Sequence, residues 1–449
     1  MTSLDDLLAE AVLGIDTLWG GDVMNPSGTG RFIADSWFSD RALPQAYTHQ
    51  TAARVRGTGG VSAKQPDQAA IDAYLKAVDV HGAIEAVAGG ARSLGGLRGA
   101  YLESLALCFE VMWDLVKEIL GRGDPVPYER AVRASTGAPP TPSDPDAKRR
   151  LVAGLLREAG FPIDSAADMV SAADAWRRRH AVAADQIPAL AASCIAALDG
   201  LTERHLVPHL PEALALVPRA NIRFLPIKDA WFSGSMNYLG RARTPQGRPE
   251  FEATYEINAS LQISEPEFRH LVSHEVVPGH VTTFAILQDL FWRGEVGFEA
   301  SVLTMNTRGA ALFEGIANNA ILIAHGVTEV KDLPDPDLQI GVILALLQDD
   351  AKNEASYLTW QEGVPQEEVA RRLRMGFLVS EERADKLSGA WGRHPLLGRM
   401  HLPAYRAGTE AVARLRRHHP PETVLPALYG CRGLVDVVTL NGLLDSGIA

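Results

Sequence analysis

His274-Glu275-Val276-Val277-Pro278-Gly279-His280 lies between a strand-like run, Phe251 to Ile257, and an apolar helical run, Val281 to Trp292. Two imidazoles and a carboxylate packed this closely can hold a metal ion and activate a water. In the common zinc-binding pattern H-E-x-x-H the two His are four residues apart and share a helix face. Here they are six apart. On an unbroken helix that separation turns the second imidazole by about 240°, onto another face. The two rings reach one metal only if the helix breaks between them. Pro278 supplies the break, because it has no N–H for the carbonyl of His274 and its ring clashes with that carbonyl. Gly279 admits backbone angles closed to other residues. The expectation is a helix interrupted between Val276 and His280, with His280 turned back towards His274. The bland alternative is a kinked core helix with two buried, hydrogen-bonded His.

A catalytic metal needs three protein ligands and an open position. His274 and His280 provide two, and the third is expected on a neighbouring helix. Glu314 is the first choice. It stands in the run Phe313 to Ile323, and Gly315 after it lets another backbone or a substrate come close. His401 and Glu299 are the reserves. Glu275, one position past the first His, is turned about 100° from it, poorly placed as a ligand and well placed as general base. Zinc is the preferred ion, and the mixed N/O set also accepts Mn or Fe. Charge developing on a carbonyl oxygen needs a donor. Tyr405 is the candidate, with Arg406 and His401 beside it, since His401 and Tyr405 at four residues' separation share a helix face. Asn318, one turn beyond Glu314, suits a hydrogen bond that orients a ligand, or is a plain polar helix residue.

H-E-x-x-P-G-H resembles the bacterial family called domain of unknown function 885, which is similar to the gluzincin metallopeptidases. Three further segments match that family in order. A strand ends in Asn at Tyr255-Glu256-Ile257-Asn258, an E-G-W-A helix corresponds to Glu314-Gly315-Ile316-Ala317, and Y-x-x-G corresponds to Tyr405-Arg406-Ala407-Gly408. The resemblance covers most of the second half, and residues before about Asn221 are placed by continuity alone. It implies a gluzincin-like helical scaffold, mainly α with a small antiparallel β-sheet above the metal helix, whose edge strand holds extended substrate. It supports Glu314 as third ligand and Tyr405 as donor. Two departures stand out. The family's D-x-G-x-H segment is here Glu354-Ala355-Ser356-Tyr357-Leu358, without its His, and Val281-Thr282-Thr283 replaces the H-x-Q that follows the motif.

The 449 residues suffice for a large core. Hydrophobic content of 46% with 22% charged residues is that of an ordinary globular protein, and a net charge of −12 speaks against a nucleic-acid surface. Three Cys share no metal-ligand spacing, and Cys108 and Cys194 sit in apolar helical runs as core residues. The acidic start lacks a basic, apolar leader, and no uncharged apolar run is long enough to span a bilayer, so a cytoplasmic protein without membrane contact is expected.

Three regions are expected to form one unit: 1–145 helical, 146–220 helical, and 221–449 carrying the metal site. Ser3 reads as the cap of a helix over 3–19 that Gly20-Gly21 stops. Helical patterns run from Pro66 to about Gly90 and from Ser93 to Leu120. Residues 136–146, with four prolines, form a loop or linker. Helices follow over 146–159, 165–182 and 187–206. Strand patterns then gather at Asn221 to Ile227, Asp229 to Tyr238 and Ala253 to Ser260, the last able to pair back as a hairpin. Helical patterns resume at 307–325, 337–357, 365–378, 380–390 and 402–417. Together these features point to a metal-dependent hydrolase, a zinc metallopeptidase-like enzyme acting on an amide or short peptide. A hydrolase or lyase of another small molecule, and a non-catalytic helical metal-binding protein, are the alternatives.

Overall fold

Ser3 starts the first helix, Leu4–Trp19, through a capping box: its hydroxyl accepts from the Asp6 N–H while the Asp6 carboxylate accepts from its own N–H. The computed structural model describes residues 2–20, 34–227, 234–258 and 263–445. The run after Pro66 divides into Gln68–Ala77 and Val80–Leu94, because Asp79 caps a new helix by accepting from the Gly82 N–H. The following helix, Gly96–Ile119, begins after Gly95, whose φ of +65° breaks the chain direction. Helices Asp146–Glu158, Ala166–Arg179 and Ile187–His205 lie where the periodicity places them.

The proline-rich loop between Thr136 and Asp146 is stitched down rather than free. The Ser143 N–H donates to Glu354 Oε2 at 2.8 Å, the Ser143 hydroxyl to the Asp350 carbonyl at 2.8 Å, and Asn353 Nδ2 to the Thr141 carbonyl at 3.0 Å. Two apolar cores result. The larger joins the N-terminal helices, the 187–217 segment and most of the second half. The smaller packs Val152, Leu156, Met169 and Trp176 against Ile343, Leu347, Leu373 and Phe377. The middle region is thus shared between the two.

The small sheet has strands Ile222–Ile227, Gly234–Tyr238 and Ala253–Asn258, with the last in the centre. It is mixed, which amends the expected antiparallel arrangement. Gly234–Tyr238 pairs antiparallel with the central strand, Met236 opposite Tyr255, as the hairpin reading requires. Ile222–Ile227 pairs parallel to it, Phe224 opposite Tyr255. The chain visits both edges before filling the centre, so the first and last strands run the same way. The expected strand residues 229–233, 259 and 260 lie outside the described residues. A second pairing joins Ala34–Trp37 to Val302–Thr304 antiparallel. Among the described residues no helix is long and apolar enough to cross a membrane.

Candidate metal centre

The first metal-motif helix, Glu265–Glu275, ends where Pro278 forbids continuation, and a second, His280–Trp292, starts at the second His. Val277–Pro278 is a cis peptide. Gly279 has φ −76°, so a left-handed conformation is not the reason for glycine. Contact is: a Cβ there would stand 1.8 Å from the His274 carbonyl oxygen and 2.5 Å from that of Ser273. The break is pinned by the Gly279 N–H donating to the Ser273 carbonyl at 3.0 Å and by the buried Tyr429 hydroxyl donating to the Pro278 carbonyl at 2.7 Å.

This break turns the imidazoles towards each other, ring centres 4.8 Å apart and nearly perpendicular. The third group comes from the helix Arg308–Ala324. Glu314 Oε2 lies 3.5 Å from His274 Nε2 and 3.7 Å from His280 Nε2. Tetrahedral zinc with bonds of ~2.1 Å spaces its ligand atoms by ~3.4 Å, so the donor set fits a zinc ion. The same oxygen is buried and makes no hydrogen bond, which leaves it for a metal. His274 Nδ1 pairs with Asn318 Oδ1 at 2.8 Å. A carbonyl oxygen accepts only, so Nδ1 carries the proton and Nε2 is the free ligand atom. Asn318 is held in turn by its amide on Thr409 Oγ1, 2.8 Å, and Thr409 by the Tyr405 carbonyl, 2.7 Å.

Glu314 reaches this place because two helices touch backbone to backbone. A Cβ on Gly315 would stand 2.3 Å from the Gly408 carbonyl oxygen, and one on Gly408 would stand 1.8 Å from that of Ala311. Gly408 belongs to the helix Leu402–His418. The glycines of the E-G-x-A and Y-x-x-G segments are therefore each other's partners.

Glu275 offers a carboxylate oxygen within 4.8 Å of the His274 and His280 ring nitrogens. Burial pushes its carboxyl up to about 7, against the pull of His280. Tyr255 of the central strand lies close enough for its charged form to be disfavoured, first by burial and then by Glu275. Burial also works against ionisation of Glu314, but His280 in contact and the neighbouring His274 and His401 outweigh it and hold that carboxyl well below the usual range. Burial keeps His274 neutral, well below the usual imidazole range, and pushes His401 down to about 4. Neutral imidazoles and an ionised carboxylate are the forms that bind zinc.

His401 Nε2 lies 3.2 Å from the Tyr405 hydroxyl, the shared face expected from their spacing, and His401 is within electrostatic reach of Glu314. Arg406 is turned elsewhere: it pairs with Glu410 at 2.8 Å and donates to the Pro142 carbonyl at 2.8 Å. Glu299 is committed elsewhere, paired with Arg98 at 2.8 Å. Sequence reasoning missed Lys352 and Arg383. Lys352, on the helix Pro336–Trp360, sits with its ammonium 3.2 Å over the Tyr405 ring and 2.8 Å from Asp349 Oδ1. Arg383 is depressed by burial and interacts with Tyr405, Tyr255 and Asp349. The run Gln348-Asp349-Asp350-Ala351-Lys352-Asn353-Glu354 gives little hint of this, since such charge normally marks a solvated face.

No family model matches the chain, and no curated protein sequence does. Solved structures do match in fold. One is the putative lipoprotein from Colwellia psychrerythraea, with TM-score 0.51 and 14% identity over 78% of this chain and 61% of that one. Another is a putative lipoprotein of unknown function from Shewanella oneidensis, with TM-score 0.51 and 14% identity over 97% of this chain and 83% of that one. The chain thus spans about three-fifths of the length of the Colwellia protein and most of the Shewanella one. At this identity the likeness is one of fold: a mainly helical protein with a small mixed sheet.

Proposed function

We propose that the chain is a metal-dependent hydrolase, a zinc metallopeptidase-like enzyme that cleaves an amide or short peptide and is distantly akin to domain of unknown function 885 and the gluzincins. The observation that carries this reading is the convergence of His274 Nε2 and His280 Nε2 on the buried Glu314 Oε2, at 3.5 and 3.7 Å, with the Glu275 carboxyl beside them. A zinc ion held by His274, His280 and Glu314 would supply Lewis acidity to a carbonyl and lower the pKa of water, and Mn or Fe would serve the same donors. Glu275 takes the proton from the attacking water and delivers it to the leaving nitrogen, a task suited to a buried carboxyl. The Tyr405 hydroxyl, oriented by His401, donates to the oxygen that gains charge. Arg406 has no part in this step, because its guanidinium is committed to Glu410 and the 141–142 carbonyls.

A second reading keeps the scaffold and changes the substrate to a non-peptide small molecule, by hydrolysis or elimination. What favours it is Glu354, which stands in the family's D-x-G-x-H segment and here accepts from the Ser143 N–H of the proline-rich loop. A purely structural metal would fill all four positions with protein, whereas this donor set has three and a carboxyl suited to proton transfer. Metal analysis of the purified protein tests the reading. The wild type is expected to hold about one zinc per chain, and His274→Ala, His280→Ala and Glu314→Ala to lose it. A metal-free wild type that also refuses added zinc sinks the proposal, and full occupancy in Glu314→Ala removes that residue from the set.

A further inference from the structure

Lys352 is 8% exposed, and a buried ammonium is costly unless its charge has work to do. Among the described residues it donates one hydrogen bond, to Asp349 Oδ1 at 2.8 Å, and rests on the Tyr405 ring at 3.2 Å. An ammonium has three donors, so this arrangement leaves two. The Tyr405 ring belongs to the candidate oxyanion donor, whose hydroxyl lies 3.2 Å from His401 Nε2. Arg383 is a second cation within electrostatic reach of Glu382, Tyr405, Tyr255 and Asp349. The helix carrying Lys352 packs against both the Glu265–Glu275 helix, which holds His274, and the Leu402–His418 helix, which holds Tyr405.

We propose that Lys352, assisted by Arg383, forms a carboxylate-binding subsite beside the metal centre, so that the substrates are amides bearing a free carboxylate, such as N-acyl amino acids or the C-terminal ends of short peptides. This rests on the hydrolase reading for its substrate class, but the subsite itself is a binding property. A buried cation with spare donors recognises a carboxylate through charge-assisted hydrogen bonds, while a carboxamide in its place offers one neutral carbonyl oxygen and no charge.

Calorimetric titration of the protein as purified, with N-benzoylglycine and N-benzoylglycinamide as probes, reads the subsite without turnover. The wild type is expected to bind the acid about tenfold or more tightly than the amide. Lys352→Met is expected to abolish the preference, and because it strands Asp349, the double variant Asp349→Asn/Lys352→Met, which removes both charges, is measured alongside with its melting curve. Lys352→Arg is expected to keep the preference. Equal binding of acid and amide by the wild type, no binding of the acid at about 10 mM, or a preference that survives in the folded double variant each overturn the proposal. Hydrolysis is assayed separately: a Lys352-dependent preference without turnover defeats the hydrolase reading alone, and turnover without preference defeats the subsite alone.

Discussion

Glu275 carries the sharpest residue-scale test. Burial pushes its carboxyl up to about 7, beside the imidazoles of His274 and His280. Glu275→Gln keeps shape and volume and removes only the ability to take and give a proton. Metal content and melting temperature are expected to stay at wild-type values while turnover of an amide substrate falls by ~10² or more. Near-normal turnover in a metal-loaded variant would show that another group is the base. The approach of His274 to His280 was legible in the sequence because a proline among the five residues between them forbids a continuous helix and lets the two rings turn towards each other. Lys352 was not legible, because its neighbours are charged and nothing local marks a helix face as turned inward. Arg406 illustrates the opposite case. It lies next to Tyr405 in the sequence, yet one position on a helix turns it about 100°, here onto the proline-rich loop.

At the scale of elements, the helices could be read from apolar periodicity, caps and glycine stops, and the interruption at Pro278 from the missing N–H. The direction of Ile222–Ile227 could not, since parallel pairing depends on which edge the chain reaches first and alternation is the same for both directions. Nor could the role of the motif glycines be separated from backbone freedom. Gly279, Gly315 and Gly408 all serve close approach. Gly408→Ala tests this for the two helices that hold Glu314 and Tyr405. Its Cβ would stand 1.8 Å from the Ala311 carbonyl oxygen and 3.0 Å from the Gly315 nitrogen, both backbone atoms that cannot rotate away. The helices must separate, at a cost of about 1–3 kcal/mol or more in unfolding free energy. Because Glu314 precedes Gly315, zinc affinity should fall with it. Denaturant midpoints and a zinc titration read the two effects, and a variant unchanged in both would show that the two helices do not depend on backbone contact at Gly408.

The whole molecule places the candidate site where its two cores share helices, which periodicity in any one segment does not reveal. The helix Pro336–Trp360 sends Leu338 and Val342 into the larger core and Ile343, Leu347 and Leu358 into the smaller. The helix Leu402–His418 divides likewise, with Leu402 in the smaller core and Ala404, Val412 and Leu415 in the larger. Between these shared elements stand Lys352, Tyr405 and, through Gly408, Glu314. Loss of either core would therefore remove a wall of the site, and binding at the site should be felt by both. A ligand that binds only the folded state stabilises it by about 2.7 kcal/mol at a hundredfold excess over its dissociation constant. Scanning calorimetry of metal-stripped protein is expected to show one cooperative transition. Added zinc should move that transition upward as a unit, and His274→Ala should abolish the movement while leaving a single transition. Two separate transitions, only one of which responds to zinc, would show that the cores unfold independently and that the metal reports on one of them.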